Sequence, residues 1–317
     1  MNNDRIQEIL DLMEEARLDY FLISDPQSIA YCTGYYNDPH ERMFVFMISK
    51  HGNHTLFMND LFYLEHDLDV NIVWHKDGQD AIQTIVDEMH FPGRIGIDKN
   101  WASHFLLDLM KKLPDAKYIN ASPCVDLVRM KKDLQEQVLM IESSKINDAV
   151  MEEIIPFIQE GVTEKQLAKK LDELFFNHHS TCYGAIVAFG KNAADPHHEN
   201  DDTPLRKGDC VLIDMGCVYK GYCSDMTRTF FYEGILEEEI KVYEIVKKAN
   251  EAAEAMIKPG VKLSDIDKCA RKVISDEGYG KYFTHRLGHF IGRDVHEYGD
   301  VSSVNEMEVE EGMIFFN

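Results

Sequence analysis

The sequence predicts an α/β domain over residues 1–128, followed by an α+β domain over residues 129–317. Two observations support this division. The 317 residues are enough for two domains of roughly 100 to 200 residues each. Helical and strand patterns alternate in the first part, whereas the second part has runs of strand character between helices, which suggests antiparallel strands.

The first domain begins with apolar residues at helical spacing from Ile6 to Ala16. Short apolar runs then predict strands at 20–23, 43–48, 55–58, 72–74 and 95–97. Near Arg129 these runs give way to charged residues and then to a long helical pattern. The domain boundary is placed at this change of pattern.

Capping residues and strand runs indicate the helices and strands of the second domain. Thr163 with Gln166 predicts a capping box at the start of one helix, and Ser264 is predicted to cap another. Three runs of strand character lie between these helices: Tyr183 to Phe189, Cys210 to Val218, and Tyr222 to Tyr232.

Charge and cysteine content exclude several classes of partner. A net charge of -23 and a pI near 4.9 would repel both nucleic acid and an anionic membrane. The N-terminal segment is acidic, unlike a signal peptide, and no apolar run reaches the roughly 18 residues that span a bilayer. The cysteines are scattered, with no CxxC pair, which suits a reducing compartment. We therefore expect a cytoplasmic protein.

Two aspartates stand on neighbouring strand runs. Asp214 interrupts an apolar strand, where an unpaired carboxylate would cost several kcal/mol. Asp225 follows on the next run, after a tight turn. If the turn centres on Tyr219 and Lys220 the aspartates are directly opposite, and if it centres on Lys220 and Gly221 they are diagonal neighbours. They share one face in either register.

Carboxylates held this close repel each other unless a cation lies between them. Oxygen and nitrogen ligands of this kind suit Mn²⁺, Mg²⁺, Zn²⁺ or Co²⁺. The alternative is that Asp225 pairs with Arg228 while Asp214 simply ends a strand near a loop. Spacing alone leaves both interpretations open.

Histidines are concentrated in two further segments. His285, His289 and His296 would share one face of a helix, but the two glycines between them favour a turn or an irregular strand. His197 lies in a loop after an apolar strand, where functional residues are common. An HxxxH spacing alone is weak evidence for a metal site.

Together these segments resemble the Xaa-Pro peptidases, prolidase and aminopeptidase P. Their paired-aspartate motif is similar to DMGCVYKGYCSDMTRTF, and their histidine motif is similar to HRLGHFIGRDVHE, in the same order and spacing. The loop that supplies a further active-site histidine resembles GKNAADPHH, and the start of their N-terminal domain resembles SDPQSIAYCTGY. The resemblance implies a pita-bread catalytic domain behind a smaller creatinase-like α/β domain.

The resemblance also implies a role for each site residue. Asp214 would bridge the metal ions or chelate one of them, Asp225 would bridge two, and His289 would bind the second. His197 and His296 would contact the scissile peptide without binding metal and would stabilise the developing oxyanion. The metals are commonly Mn²⁺ or Co²⁺ in similar enzymes, with Zn²⁺ as an alternative.

The reaction implied is hydrolysis of the bond that precedes proline in short peptides. Proline has no N–H and a fixed φ, so proteases that read an extended N–H pattern handle it badly. The ions would lower the pKa of water and polarise the carbonyl. The relatives also lead us to expect a homodimer, and the small N-terminal domain favours a dipeptidase over an aminopeptidase.

In this family two further glutamate ligands follow a segment like 311–317, the first in a Glu-Pro-Gly motif. Both would lie beyond Asn317. The first is also the expected proton shuttle, a role worth about 10²- to 10⁴-fold in rate. The expectation is therefore a C-terminally truncated chain with weakened metal binding and reduced activity.

Two other functions are compatible with the same fold. A non-catalytic binding or scaffold protein would stay metal-free even with Mn²⁺ in excess. A creatine-type amidinohydrolase works without metal, but a metal-free site gives no reason to keep Asp214 beside Asp225.

Overall fold

The computed structural model describes residues 1–65, 67–90 and 92–316. The chain divides into two compact units, Met1–Arg129 and Met130–Asn317. The first is α/β and the second is α+β, which confirms the predicted fold class. No helix in the described ranges is both long and apolar enough to cross a membrane.

Within its described residues, the first unit has a six-stranded sheet in the order β4-β3-β2-β1-β5-β6. The strands are β1 (Tyr20–Ile23), β2 (Val45–Ser49), β3 (Thr55–Asn59), β4 (Asn71–His75), β5 (Arg94–Ile97) and β6 (Lys117–Asn120). The helices are α1 (Asn3–Glu15), α2 (Pro26–Thr33), α3 (Ala81–Glu88), α4 (Ser103–Lys112) and α5 (Ser122–Met130). The strand β6 was missed because it is polar at both ends and only partly buried.

The burial of the central strand β1 explains why the strands of this sheet appear in the sequence as short apolar runs. All four of its residues are buried. Phe21 and Ile23 pack into one apolar cluster, whereas Tyr20 and Leu22 pack into another. A strand that is covered on both faces shows a continuous apolar run rather than alternation.

The second unit packs helices against short strands. Its helices are α6 (Leu134–Ile154), α7 (Glu164–Asn177), α8 (Glu237–Glu254) and α9 (Leu263–Asp276). The predicted capping box of Thr163 and Gln166 is confirmed at the start of α7. The predicted cap at Ser264 is wrong, because α9 begins at Leu263 and the Ser264 hydroxyl donates to Glu306 instead. Leu263 is fully buried, so packing fixes the start of this helix.

The strands of the second unit form separate small sheets. They are β7 (Thr181–Cys182), β8 (Ile186–Phe189), β9 (Cys210–Met215), β10 (Cys217–Tyr219), β11 (Tyr222–Cys223), β12 (Met226–Phe231), β13 (Gly288–Phe290), β14 (Asp300–Val301) and β15 (Phe315–Phe316). The sheet orders within the described residues are β11-β10-β7, β12-β9-β8 and β14-β13-β15. The two long strands predicted for the aspartate hairpin are each divided in two. As a result, β9 and β12 belong to one sheet, and β10 and β11 belong to another.

Gly216 lies where the first strand of this hairpin divides. A Cβ atom at Gly216 would lie 1.8 Å from Tyr183 Oη and 2.1 Å from the backbone oxygen of Ser224. The Tyr183 hydroxyl donates to that same oxygen at 2.8 Å. The close approach of the two hairpin strands and Tyr183 therefore requires glycine at this position.

A buried ion pair fixes the loop after β13. Lys132 Nζ lies 2.8 Å from Glu297 Oε2, and the two side chains are 1% and 4% exposed. The other carboxylate oxygen of Glu297 accepts from the backbone N–H of Arg293 at 2.9 Å. The loop that carries His296 is thus tied to the segment before α6.

We expect Gly216→Ala to destabilise the second unit by at least about 1 to 3 kcal/mol, because the new methyl group has no space. The matched control is Gly234→Ala, whose Cβ would meet its nearest neighbour, Gly208 Cα, at an ordinary 3.5 Å. Urea unfolding of both variants measures the difference. Equal unfolding midpoints would contradict the packing described here.

We expect Lys132→Met to lower the free energy of unfolding by about 3 to 5 kcal/mol, because it removes the Lys132 charge from beside the buried Glu297 carboxylate. Lys131→Met is the control, since Lys131 pairs with Glu310 at an exposed position, where such pairs contribute about 0 to 1 kcal/mol. Thermal unfolding of the two variants measures the difference between them. Similar losses in both variants would show that the buried pair has no special role.

Candidate functional site

The hairpin that carries the two aspartates turns at Lys220 and Gly221. Both residues have positive φ, 49° and 82°, as a two-residue type I′ turn requires. Of the two registers that the sequence allows, the hairpin therefore has the one in which the aspartates are diagonal neighbours. Asp214 pairs with Thr227 across the ladder, and Asp225 is its diagonal neighbour, placed between β11 and β12 rather than inside a strand.

The carboxyl group of Asp214 has both a hydrogen-bond donor and a like charge beside it. Thr227 Oγ1 donates to Asp214 Oδ1 at 2.7 Å. Burial raises the pKa of Asp214, and the negative charge of Asp225 raises it further. The charge of Asp225 therefore opposes the ionisation of Asp214, and a cation between the two carboxyl groups would relieve this opposition.

His289 lies on β13 and faces the second aspartate. The strand confirms the preference for extended over helical backbone around this residue. His289 Nδ1 lies 3.2 Å from the carbonyl oxygen of Phe290. A carbonyl accepts and does not donate, so Nδ1 carries the proton. In a neutral ring Nε2 then has a free lone pair, and it lies 3.4 Å from Asp225 Oδ2.

One cavity of about 520 Å³ brings the predicted site residues together. Its walls include Asp214, Asp225, His289, His197 and His296. These residues come from three separate segments of the second unit. The structure therefore places every predicted site residue around one volume, while their individual roles stay predictions.

The two histidines predicted not to bind metal differ in environment. The rings of His296 and His289 are 4.1 Å apart. Partial burial lowers the pKa of His296, and the neighbouring His289 lowers it further. His197 is exposed, and its backbone N–H donates to Asp195 Oδ1 at 3.0 Å. Both rings can therefore offer an N–H group to a molecule in the cavity.

The segment leading into β13 is held by a buried pair on α9. Asp267 is fully buried and pairs with Arg271 at 2.8 Å. Asp267 Oδ1 accepts from the backbone N–H of Leu287, and the Arg271 guanidinium donates to the carbonyls of Phe283 and His285. These bonds fix the backbone immediately before His289.

The donor set of Asp214, Asp225 and His289 fits a divalent metal ion. Two carboxylates and an imidazole with its Nδ1 proton engaged by a backbone carbonyl are ligands that such ions accept. Without a cation or a proton, the lone pair of His289 Nε2 would face that of Asp225 Oδ2 at 3.4 Å. The arrangement is therefore one that a cation would stabilise.

A second group of ligand-type atoms lies outside this cavity. Glu164, His198 and Asp201 bring such atoms within 4.8 Å of one another. His198 Nε2 donates to Glu164 Oε2 at 2.6 Å, and the backbone N–H of Asp201 donates to the same oxygen at 3.1 Å. N–H groups thus occupy the positions from which a metal ion would bind that oxygen. The cluster fits a metal ion less well than the cavity does.

Sequence reasoning missed Tyr183 as a site residue and named His285 without assigning it a role. Both line the cavity. Burial raises the pKa of Tyr183, and the charges of Asp225 and Asp214 raise it further, so the phenol stays protonated. Tyr183 stood at the start of a predicted strand, and no local pattern indicates that its hydroxyl reaches the aspartate hairpin.

Comparisons with known proteins show which family each part of the chain matches. The model of metallopeptidase family M24 matches residues 138–317, and that of the creatinase/prolidase N-terminal domain matches residues 5–131. An uncharacterised peptidase from Staphylococcus aureus is 33% identical over 319 residues, covering 98% of this chain and 89% of that protein.

Solved structures show the same fold. A dipeptidase from Pyrococcus horikoshii is 34% identical with a TM-score of 0.90, covering 98% of this chain and 88% of that one. A prolidase from Thermococcus sibiricus is 31% identical with a TM-score of 0.93, covering 99% of this chain and 88% of that one. These matches confirm the predicted resemblance and the pita-bread fold. The chain belongs to metallopeptidase family M24 and carries a creatinase/prolidase N-terminal domain.

Proposed function

We propose that this protein hydrolyses Xaa-Pro bonds in short peptides, preferably dipeptides, with two divalent ions, Mn²⁺ or Co²⁺. The observation that carries the proposal is the cavity shared by two mutually repelling carboxyl groups, an imidazole aimed at one of them, and two further histidines. The names of the similar solved structures, a dipeptidase and a prolidase, support the choice of substrate.

The side chains divide into two groups in this proposal. Asp214, Asp225 and His289 would hold the ions, which when bound lower the pKa of water and polarise the substrate carbonyl. His197 and His296 would donate hydrogen bonds to the oxygen on which charge develops. The lowered pKa of His296 favours the neutral ring, which keeps one N–H to donate without adding a positive charge beside the metal ligands.

The shape and lining of the cavity suit a small substrate with an apolar side chain. Its volume of about 520 Å³ lies within the range of roughly 300 to 1,000 Å³ that is usual for small-molecule sites. Ile186, Leu287, Val295 and Phe316 supply apolar surface next to the polar residues. A proline ring would bury against such a surface, and its missing N–H leaves no donor unpaired.

The proposal also includes a cytoplasmic location and a homodimer. Free cysteines at all seven positions support a reducing compartment. The homodimer is proposed because the resemblance to the Xaa-Pro peptidases implies it. Size measurement in solution tests the second point independently of activity.

Asp225→Asn should abolish both metal retention and hydrolysis, because it removes a charge that faces His289 and Asp214. We expect its metal affinity to fall by more than the roughly 10- to 100-fold typical of losing an outer-shell partner. Metal content after desalting from excess Mn²⁺, together with release of proline from Xaa-Pro dipeptides, measures both effects. Asp202→Asn is the control, since Asp202 is an exposed partner of Lys165. A wild-type chain that is inert and metal-free would leave the scaffold interpretation.

His197→Ala and His296→Ala should each lower kcat by about 10²- to 10³-fold, the usual cost of losing one oxyanion donor. Their metal content should match that of the wild type, because neither side chain is proposed as a ligand. Steady-state kinetics and metal analysis on the same samples check both statements. Loss of metal in either variant would mean that the histidine is a ligand and that its assignment here is wrong.

A further inference from the structure

Glu164 is the first residue of α7, yet its side chain is fully buried. Residues at the start of a helix are commonly exposed, and a buried carboxylate is strongly unfavourable unless hydrogen bonds satisfy it. The environment of Glu164 therefore calls for an explanation beyond helix stability. The favourable interaction of an acid with a helix N-terminus is also available to an exposed side chain.

Within the described residues, the Glu164 carboxylate accepts from donors on both of its oxygens. Oε1 accepts from the backbone N–H of Phe189 at 2.8 Å and from Asn192 Nδ2 at 2.9 Å. Oε2 accepts from His198 Nε2 at 2.6 Å and from the backbone N–H of Asp201 at 3.1 Å. Every one of these donors belongs to the segment 189–201, which therefore closes around a single carboxylate.

The same segment carries His197 into the cavity. His198, the next residue, turns away from the cavity toward Glu164 and is largely buried, with 12% of its side chain exposed. Asn200 fixes the far end of the loop, since it accepts from the backbone N–H of Val187 and donates to the carbonyl of Ala185, both at 2.7 Å. The orientation of His197 thus follows from contacts made by its neighbours.

We propose that Glu164 is a positioning residue for the reaction: through His198 it holds the 189–201 segment so that His197 faces the substrate. The inference rests on the proposed function, because it assigns a consequence to the placement of His197. Glu164 itself touches neither the cavity walls formed by the aspartates nor any group assigned to the metal ions among the described residues.

A double-mutant cycle tests the inference. Glu164→Gln places an amide N–H donor where the carboxylate accepts from other N–H groups, so the 189–201 segment should lose its fixed position. We expect kcat to fall by up to about 100-fold, with a smaller effect on KM. In a His197→Ala background the same change should lower kcat by less than about 2-fold, since its target is already gone. If Glu164→Gln lowers kcat by the same factor in the wild type and in His197→Ala, the proposal is wrong.

Two further variants separate positioning from general stability. His198→Gln keeps an amide donor that can reach Glu164 and should retain most of the activity, whereas His198→Ala should behave like Glu164→Gln. His178→Ala is the matched control, because His178 pairs with Glu153 at 3.0 Å on a more exposed surface of the same unit. If Glu164→Gln does not fold, His198→Ala replaces it in the cycle.

Hydrogen exchange by mass spectrometry supplies a readout that does not depend on activity. Exchange in the 189–201 segment should rise in Glu164→Gln and His198→Ala but not in His178→Ala, with the rest of the unit unchanged. If the wild type hydrolyses no Xaa-Pro peptide, the proposed function fails while this measurement still judges the anchoring. Unchanged exchange in the segment would refute the role of Glu164.

Discussion

Asp214 and Asp225 are held so close that the charge of Asp225 opposes the ionisation of Asp214, and the surrounding structure keeps them there. The turn at Lys220 and Gly221 sets the diagonal register. Gly216 lets the hairpin strands approach each other while the Tyr183 hydroxyl bonds to the second strand. The local fold therefore keeps two carboxyl groups close together, and a divalent cation between them would offset their repulsion.

The histidines around this pair depend on a second layer of buried charge. Glu164 closes the loop of His197, Asp267 with Arg271 fixes the backbone before His289, and Glu297 with Lys132 fixes the loop of His296. A buried carboxylate orients neighbouring backbone effectively because it must find several donors at once. The segments that carry these three histidines are thus each held by a buried polar group outside the cavity.

The sequence predicted which residues share the cavity, but it did not predict how the surrounding structure holds them there. Apolar runs and paired motifs were enough for the fold class and for the residues that share the cavity. The division of the hairpin at Gly216 was missed, because it depends on Tyr183, which lies 33 residues earlier in the chain. The role of Glu164 was missed for the same reason, since its partners lie in a distant segment. Local periodicity carries no information about such contacts.

The separate anchoring of each histidine loop has an evolutionary consequence. Because His197 and His289 are secured by different buried groups, a substitution at one anchor disturbs one loop and leaves the other in place. The proposed activity would therefore decline in steps while the unit stays folded. A descendant that loses one anchor would keep the other histidine loop, the cavity and the fold, and a change in a single loop would be enough to restore what was lost.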